Sequence, residues 1–428
     1  MTLGLMFAVL AVLVILELPI AMALALSAIV YLLIEQTVPL SLIVQRMAAG
    51  LDSFPLLAIP LFILAGNLLN RAGIATRIFE FALALVGHIR GSLAHVNIVA
   101  SMIFAGMSGV AQADAAGLGT IEVRAMRKEG FDAAFSAAVT AASAIIGPII
   151  PPSVIMVIYA VMAQVSVADL FLAGIVPGLV IGALLMATVY LMALTGRIHA
   201  PVREPASAPE IGRAFVRALP ALVAPVLLVG GILGGVATPT ELGAITVIYA
   251  IALGFLNREL TWRVVWRCAA ETLVTYGVLV FIISAAVPFG WVIAVKNIPT
   301  QLAALMLELT DNPYAILALI NLLLLVVGCF METTAILLIA TPALLPLILA
   351  LGIDPVHFGL IMIFNLLIGA VTPPFGVILF IMMDIAKVGF GHLIRAMLPF
   401  YLPLGAALLM ITYWPGLALW LPRLIKGF

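Results

Sequence analysis

Charged residues are scarce in this chain. Asp, Glu, Lys and Arg make up only 9% of its 428 residues, whereas 65% are hydrophobic. A water-soluble globular protein needs a more polar surface than this, so the composition predicts a protein whose solvent is lipid. The 19 basic and 19 acidic residues cancel. Because neither a basic footprint nor an acidic tail is present, no nucleic-acid partner is expected.

Residue patterns that support covalent or metal chemistry are also missing. The two cysteines, Cys268 and Cys329, stand far apart and have no neighbouring His or Cys at metal-ligand spacing. The five histidines include no His-x-x-x-His pair, and neither a Gly-x-Ser-x-Gly elbow nor a Walker-type phosphate loop occurs. We therefore expect neither an enzyme nor an ATP-driven pump, and no cofactor.

Long apolar runs, separated by polar connectors, fill most of the chain. A helix that crosses roughly 30 Å of hydrocarbon needs about 20 mostly apolar residues. Runs of this kind are residues 3–33, 54–69, 170–194, 219–235, 241–256, 273–295 and 398–421. No Lys or Arg precedes the first run, so we expect it to stay as a span rather than to act as a secretory signal. The chain is predicted to be an all-α polytopic membrane protein.

Two regions, 92–163 and 313–386, do not read as unbroken spanning helices. In the first, the apolar run from Leu93 lasts only about 12 residues, or roughly 18 Å, before Gly106-Met-Ser-Gly109 interrupts it. This pattern predicts a re-entrant hairpin. The following helix must break at Gly147-Pro-Ile-Ile-Pro-Pro152, because proline removes a backbone donor and fixes φ. Since broken backbone within a bilayer is tolerated only against protein or a polar cavity, these breaks mark candidate sites.

The second region repeats the first at a constant offset of 222 residues. Six identities share this register: Gly106 and Gly328, Gly130 and Gly352, Asp132 and Asp354, Gly147 and Gly369, Pro151 and Pro373, Pro152 and Pro374. Inverted repeats that each contain a discontinuous helix are typical of secondary transporters with a site near the bilayer midplane. We predict two such repeats, with the following bounds. Residues 1–195 hold a hairpin at about 93–130 and a broken helix at about 133–163, residues 196–218 form a polar linker, and residues 219–428 hold a hairpin at about 313–350 and a broken helix at about 355–386.

The breaks supply ligands for a cation. Unwound backbone offers carbonyl oxygens that are already free of helical hydrogen bonds. The candidates are the Ser108 hydroxyl with the carbonyls of 147–151, and the hydroxyls of Thr333, Thr334 and Thr372 with the carbonyls of 328–334 and 369–372. Ser and Thr in membrane helices often bond their own i−4 carbonyl instead. Four converging breaks nevertheless favour a pair of sodium-type sites.

Other features point to an anionic substrate. Helices that begin next to a break, near Ser153 and Phe375, turn their partly positive N termini toward the cavity, which favours a carboxylate. Ionisable and polar residues inside apolar runs are further candidates, since burying them is costly. They are Asp114, Glu332 and Asp384, and the pair Ser143 and Asn365 in the same 222-residue register. Alternatively, Glu332 caps a helix N terminus and Asp384 pairs with Lys387 at the interface.

Short motifs over nearly the whole chain suggest a family. They are Ala65-Gly-Asn-Leu-Leu-Asn70, Ser108-Gly-Val-Ala-Gln-Ala-Asp114, Gly147-Pro-Ile-Ile-Pro-Pro-Ser153, Pro177-Gly178, Gly328-Cys-Phe-Met-Glu-Thr333, Gly352-Ile-Asp-Pro-Val-His-Phe-Gly359 and Thr372-Pro-Pro374. In combination they resemble the large membrane subunit of TRAP transporters, the tripartite ATP-independent periplasmic systems. The resemblance implies a sodium-coupled, elevator-type importer in a bacterial inner membrane. Its transport domain consists of both hairpins and both broken helices, and the remaining helices form the scaffold.

The resemblance also implies partners, cargo and ligands. The expected partners are a small four-helix membrane subunit, a periplasmic substrate-binding protein and membrane lipid, and the cargo is an organic acid such as a C4-dicarboxylate or sialic acid. The implied sodium ligands are Ser108, Val110, Gly147, Ile150, Pro152, Gly328, Thr333, Gly369 and Thr372, and the substrate candidates are Asp114, Ser143, Ser153, Glu332 and Asn365. The family's Ser-Gly-Ser tip is Ser108-Gly109-Val110 here, so only the Val110 carbonyl is available at that position.

Two other functional interpretations differ in how well the sequence supports them. A stand-alone ion-coupled symporter of organic anions with the same architecture is the alternative function. An enzyme or a channel is disfavoured, because the sequence has neither a catalytic constellation nor a continuous polar pore helix.

Overall fold

The computed structural model describes residues 2–16, 18–36, 38–198, 203–298, 301, 310 and 312–426. Throughout these residues the secondary structure is helical, with no strand. Seven helices in this part of the chain are long and apolar enough to cross a membrane. The prediction of an all-α polytopic membrane protein is confirmed.

The helices are numbered here in chain order. The first half contains α1 (Thr2–Ile15), α2 (Ile20–Glu35), α3 (Ser41–Ala49), a 3-10 turn (Phe54–Leu57), α4 (Ala58–Arg71), α5 (Ile74–Val86), α6 (Leu93–Ser108), α7 (Ala111–Ala116), α8 (Leu118–Lys128), α9 (Ala133–Ala144), α10 (Val154–Ala163) and α11 (Val167–Leu194). The second half contains α12 (Ala208–Leu233), α13 (Pro239–Leu256), α14 (Trp262–Val295), α15 (Pro313–Gly328), α16 (Thr333–Ala350), α17 (Pro355–Gly369), α18 (Val377–Ala386), α19 (Phe390–Tyr413) and α20 (Pro415–Lys426).

Two of the predicted spans are divided by proline. The run 3–33 forms α1 and α2, because Pro19, at φ −52° and ψ 132°, lies outside the helical region just before α2. The run 398–421 falls into α19 and α20, because Trp414 precedes Pro415 and is displaced from the helical region to φ −123° and ψ 80°. Each of these two apolar runs therefore contains two helices.

The predicted linker is partly helical. Helix α12 begins at Ala208 and runs through the predicted boundary between residues 218 and 219. A capping box starts it early, since the Ser207 amide and hydroxyl donate to the Glu210 carboxylate at 2.8 and 2.7 Å. Before this helix, Arg203 pairs with Glu129 at the end of α8. Residues 199–202 of the linker lie outside the described residues.

Ion pairs connect helices of the two halves. Arg71 of α4 binds the Glu271 carboxylate of α14 with both oxygens at 2.9 Å. Lys296, just after α14, donates to Glu35 of α2 at 3.0 Å. Hydrogen bonds to Tyr31 and Glu35 raise the pKa of this Lys296 ammonium, so it stays charged. These contacts are partly exposed and contribute modestly to stability.

The two regions with interrupted helices lie against each other. Helix α10 packs on α16 and α17, and α18 packs on α7, α8 and α9. The Tyr159 hydroxyl of α10 donates to the Pro355 carbonyl at 2.7 Å. Its ring also covers Gly359, where an added Cβ would lie 2.3 Å from a ring carbon. The fold therefore brings the candidate site regions of the two halves together.

Candidate functional site

The first tip joins α6 to α7 through Gly109. Gly109 adopts a φ of +64°, a left-handed conformation that favours glycine. It also lies directly on the break after α9: a Cβ at this position would be 2.4 Å from the Pro152 carbonyl oxygen, and the Val154 amide donates to the Gly109 carbonyl at 3.3 Å. The closeness of the Pro152 carbonyl leaves no room for a side chain at residue 109. The tip and the break therefore form one backbone-lined surface, on which Val110 follows in an extended conformation.

Asp114 connects this tip to the break. Its side chain is only 2% exposed, and the Ser108 hydroxyl donates to one of its carboxylate oxygens. The other oxygen has no hydrogen-bond partner among the described residues. That oxygen lies against Gly147, where a Cβ would come within 2.0 Å of it. The structure thus places Asp114, predicted as a substrate contact, among the residues predicted to bind sodium.

The far side of the first break packs on α11. A Cβ on Gly174 would lie 2.1 Å from the Ile149 carbonyl oxygen, and one on Gly178 would lie 2.4 Å from a side-chain carbon of Ile150. The Ile150 side chain therefore points toward α11. Ser153 is the N-cap of α10 and accepts the Met156 amide at 3.2 Å. The Ser153 oxygen is thus already engaged at the helix start.

The second tip joins α15 to α16 and also rests on its break. An added Cβ on Gly369 would lie 2.7 Å from the Gly328 carbonyl oxygen, so the two backbones touch. The Phe375 amide donates to the Cys329 carbonyl at 3.2 Å. Glu332 is the N-cap of α16 and accepts the Ala335 amide at 3.0 Å. Of the two interpretations of Glu332, the structure shows the helix cap.

The predicted hydroxyl ligands of the second half differ in what they bind. The Thr372 hydroxyl donates to the Ile368 carbonyl at 2.6 Å, which is the i−4 bond common for Thr in membrane helices. Its oxygen keeps lone pairs for a cation. The Thr334 hydroxyl donates to Glu332 at 2.8 Å. Thr333 is buried at the start of α16 and lines a cavity.

That cavity lies between the two tips and has a volume of about 240 Å³. Its walls include Gln112 of α7, Gly328, Glu332 and Thr333 of the second tip, and Ala370 and Gly376 of the second break. The second tip and the second break therefore form most of its wall, and Gln112 is the lining residue from the first half. Sequence reasoning missed Gln112. The sequence pointed to Gln112 only through its position inside the Ser108–Asp114 motif. Its contact with the other half of the chain is a tertiary contact, which local sequence does not reveal.

Ser143 and Asn365 are fully buried but face the hairpin arms. The Ser143 hydroxyl donates to Asn97 of α6 at 2.7 Å and accepts from Ser101 at 3.0 Å. The Asn365 amide donates to the side chain and to the carbonyl of Asn321 in α15, both at 2.9 Å. In each half a polar pair thus fastens the broken helix to the first arm of its hairpin.

Two further carboxyl groups, those of Asp384 and Glu122, lie outside the two tips. Asp384 and Lys387 are both exposed and pair at 2.6 Å, which agrees with the interfacial interpretation of Asp384. Glu122 of α8 was not predicted. It is fully buried, and neither of its oxygens has a partner in the described part of the chain. A Glu between two β-branched apolar residues, Ile121 and Val123, was the available signal.

The chain matches known proteins over most of its length. Residues 7–417 match the family model "Tripartite ATP-independent periplasmic transporter, DctM component". The chain is 41% identical over 428 residues to the sialic acid TRAP transporter large permease protein SiaM of Vibrio cholerae, covering 100% of this chain and 98% of that protein. It is 38% identical over 374 residues to the C4-dicarboxylate TRAP transporter large permease protein DctM of Pseudomonas aeruginosa, covering 87% of each. The fold resembles that of the Alcanivorax borkumensis YdaH transporter, with a TM-score of 0.61, 18% identity and 87% of each chain covered.

Proposed function

Since the chain belongs to the DctM component family of tripartite ATP-independent periplasmic transporters, we propose that it is the large membrane subunit of a sodium-coupled importer of small organic acids. The chain is a permease component of the inner membrane and not an enzyme. The observation that carries the proposal is the cavity between the two tips, where Gln112 of the first half meets the second tip and the second break.

Sodium binds at the two places where a tip meets a break. In the first half the ligands are the Ser108 hydroxyl and the carbonyls of Val110, Gly147, Ile150 and Pro152. The unpartnered oxygen of Asp114 beside Gly147 supports a cation here, since a buried carboxylate needs a positive partner. In the second half the ligands are the hydroxyls of Thr333 and Thr372 with the carbonyls of Gly328 and Gly369.

The substrate is an anion that lies in the cavity between the tips. Helix α18 begins at the wall of this cavity, so its N-terminal amide groups and dipole face a carboxylate there, whereas the N terminus of α16 is already capped by Glu332. Relatives of the chain are named for sialic acid and C4-dicarboxylates, which are both carboxylates. Gln112 supplies an uncharged donor from the opposite wall.

Two inverted repeats produce this arrangement, and the hairpins and broken helices move together as the transport domain of an elevator. Equal lengths support the repeat: α6 and α15 have 16 residues each, and α10 and α18 have 10 each. The same register is kept by the N-caps Asp132 and Asp354. The proposed partners are a small four-helix membrane subunit and a periplasmic substrate-binding protein.

Cys329 offers a direct test of the cavity. It lines the cavity at the second tip, and the other cysteine, Cys268, is buried elsewhere. In a Cys268→Ser background, sodium with the organic acid should slow alkylation of Cys329 by a water-soluble maleimide, while choline should not. Equal alkylation rates in sodium and in choline would contradict the sodium site.

Uptake assays separate the two functional readings. Proteoliposomes that hold this chain with its small subunit and binding protein should accumulate labelled sialic acid or C4-dicarboxylate only with a sodium gradient. Accumulation by the purified chain alone would support the stand-alone symporter instead. Uptake that continues when choline replaces sodium would contradict sodium coupling.

A further inference from the structure

A second cavity lies on the lipid side of the second tip. It has a volume of about 830 Å³ and is enclosed by α1, α15, α16 and the end of α14. Each lining residue is apolar, including Val14, Leu323, Val327, Ile339 and Ala340. We call this cavity the α1–α15 crevice. We propose that it is a binding site for one acyl chain of a membrane phospholipid.

The chemistry of the walls excludes water as the stable occupant. A buried water needs two to four polar partners, and apolar cavities stay dry or take up apolar ligands. A cavity on the order of 150 Å³ suffices for a benzene molecule, so the α1–α15 crevice has room for a long alkyl chain. An empty space of this size would forfeit the dispersion contacts of its whole lining.

The crevice opens toward lipid. Ile15 is 78% exposed, Leu323 50% and Phe330 58%, all at its edge. On α15 the exposed surface continues through apolar residues such as Leu322. A transmembrane helix about 10–12 Å across and about 30 Å long has a volume of roughly 2,400–3,400 Å³, several times the volume of about 830 Å³ of the crevice. An acyl chain is narrow enough and is present at high concentration on this surface.

The crevice and the cavity between the tips share a wall. Phe330, Met331 and Phe375 line both, and the Phe330 and Phe375 rings lie 6.2 Å apart at 58°. An acyl chain in the crevice therefore packs against the back of the residues that close the proposed substrate cavity. A bound acyl chain thus stabilises the second tip from its lipid-facing side.

The test uses a phosphatidylethanolamine that carries a diazirine on its acyl chain, in proteoliposomes of the full chain with its partners. After illumination, mass spectrometry should find the label on crevice residues of α15 and α16. Ala340→Phe fills the crevice and should lower this labelling by about fivefold, because a bulky ring excludes the chain sterically. Leu322→Phe, on the outer face of α15, is the matched control and should leave crevice labelling unchanged.

Ala343→Phe fills the same crevice from the next turn and replaces Ala340→Phe if that variant does not fold. A thermal unfolding midpoint near that of the parent shows that a variant is folded. Equal crevice labelling in the filled variants and the parent would overturn the proposal. So would labelling that is confined to the outer face around Leu322. Either result leaves the sodium and uptake experiments untouched, so this inference can fail alone.

Discussion

Ser108 and Thr372 were both predicted as sodium ligands, yet their surroundings differ. Ser108 donates to the buried Asp114, whereas Thr372 donates to the carbonyl one turn before it. Ser108→Ala removes a proposed sodium ligand and leaves Asp114 without its donor, at a cost of about 1–3 kcal/mol. We expect it to raise the sodium concentration for half-maximal uptake at least about tenfold. Thr372→Ser keeps the hydroxyl and should change this sodium concentration little. Equal sodium dependence in Ser108→Ala and the parent would contradict the first site.

Gly147 shows why a break needs its glycine. Its Cα faces the Asp114 carboxylate so closely that a Cβ would lie 2.0 Å from the oxygen. Gly147→Ala should lower the thermal unfolding midpoint and abolish uptake. The double variant Gly147→Ala, Asp114→Ala removes the opposing oxygen and should recover part of the stability but not the uptake. Gly405→Ala is the control, because open space surrounds this glycine of α19 and alanine favours a helix. Similar losses at both glycines would show that the contact is unimportant.

At the scale of single elements, the chain's own sequence predicted most helices and both tips. Proline and glycine act locally, so the breaks after α9 and α17 could be read directly. The divisions at Pro19 and Trp414 follow from the same local rules, but apolar content hid them. What could not be read was the direction of side chains. Asn365 faces α15 and Gln112 faces the other half for reasons of tertiary packing, whereas Glu332 caps its own helix, which is one of the two alternatives that the sequence offered.

One contact between elements can be measured alone. Tyr159 of α10 donates to the Pro355 carbonyl at the start of α17 and so joins the two broken helices. Tyr159→Phe keeps the ring over Gly359 and removes only the hydroxyl. Leaving a buried carbonyl unpaired should lower the free energy of unfolding by about 1–3 kcal/mol. Chemical denaturation in detergent is the measurement. Tyr190→Phe, a change at a 41% exposed ring of α11, is the control and should be neutral.

At the scale of the whole molecule, the proposal depends on residues far apart in sequence sharing one cavity. Gln112 and Cys329 come from different halves and line the same 240 Å³ space. In a Cys268→Ser background, Gln112→Cys should therefore be cross-linked to the native Cys329 by a short bis-maleimide. Because the linker then occupies the proposed substrate cavity, cross-linking should stop uptake.

The control for this experiment is Ser53→Cys, which lines a separate cavity near the end of α10. It should react with a single maleimide but should not be joined to Cys329 by the short reagent. A chain cut by protease in the segment around residue 200, between the halves, should stay joined on a denaturing gel only in the Gln112→Cys variant. Two separate fragments after cross-linking would mean that the tips do not meet in the membrane, and the shared cavity would then be withdrawn as the site of transport.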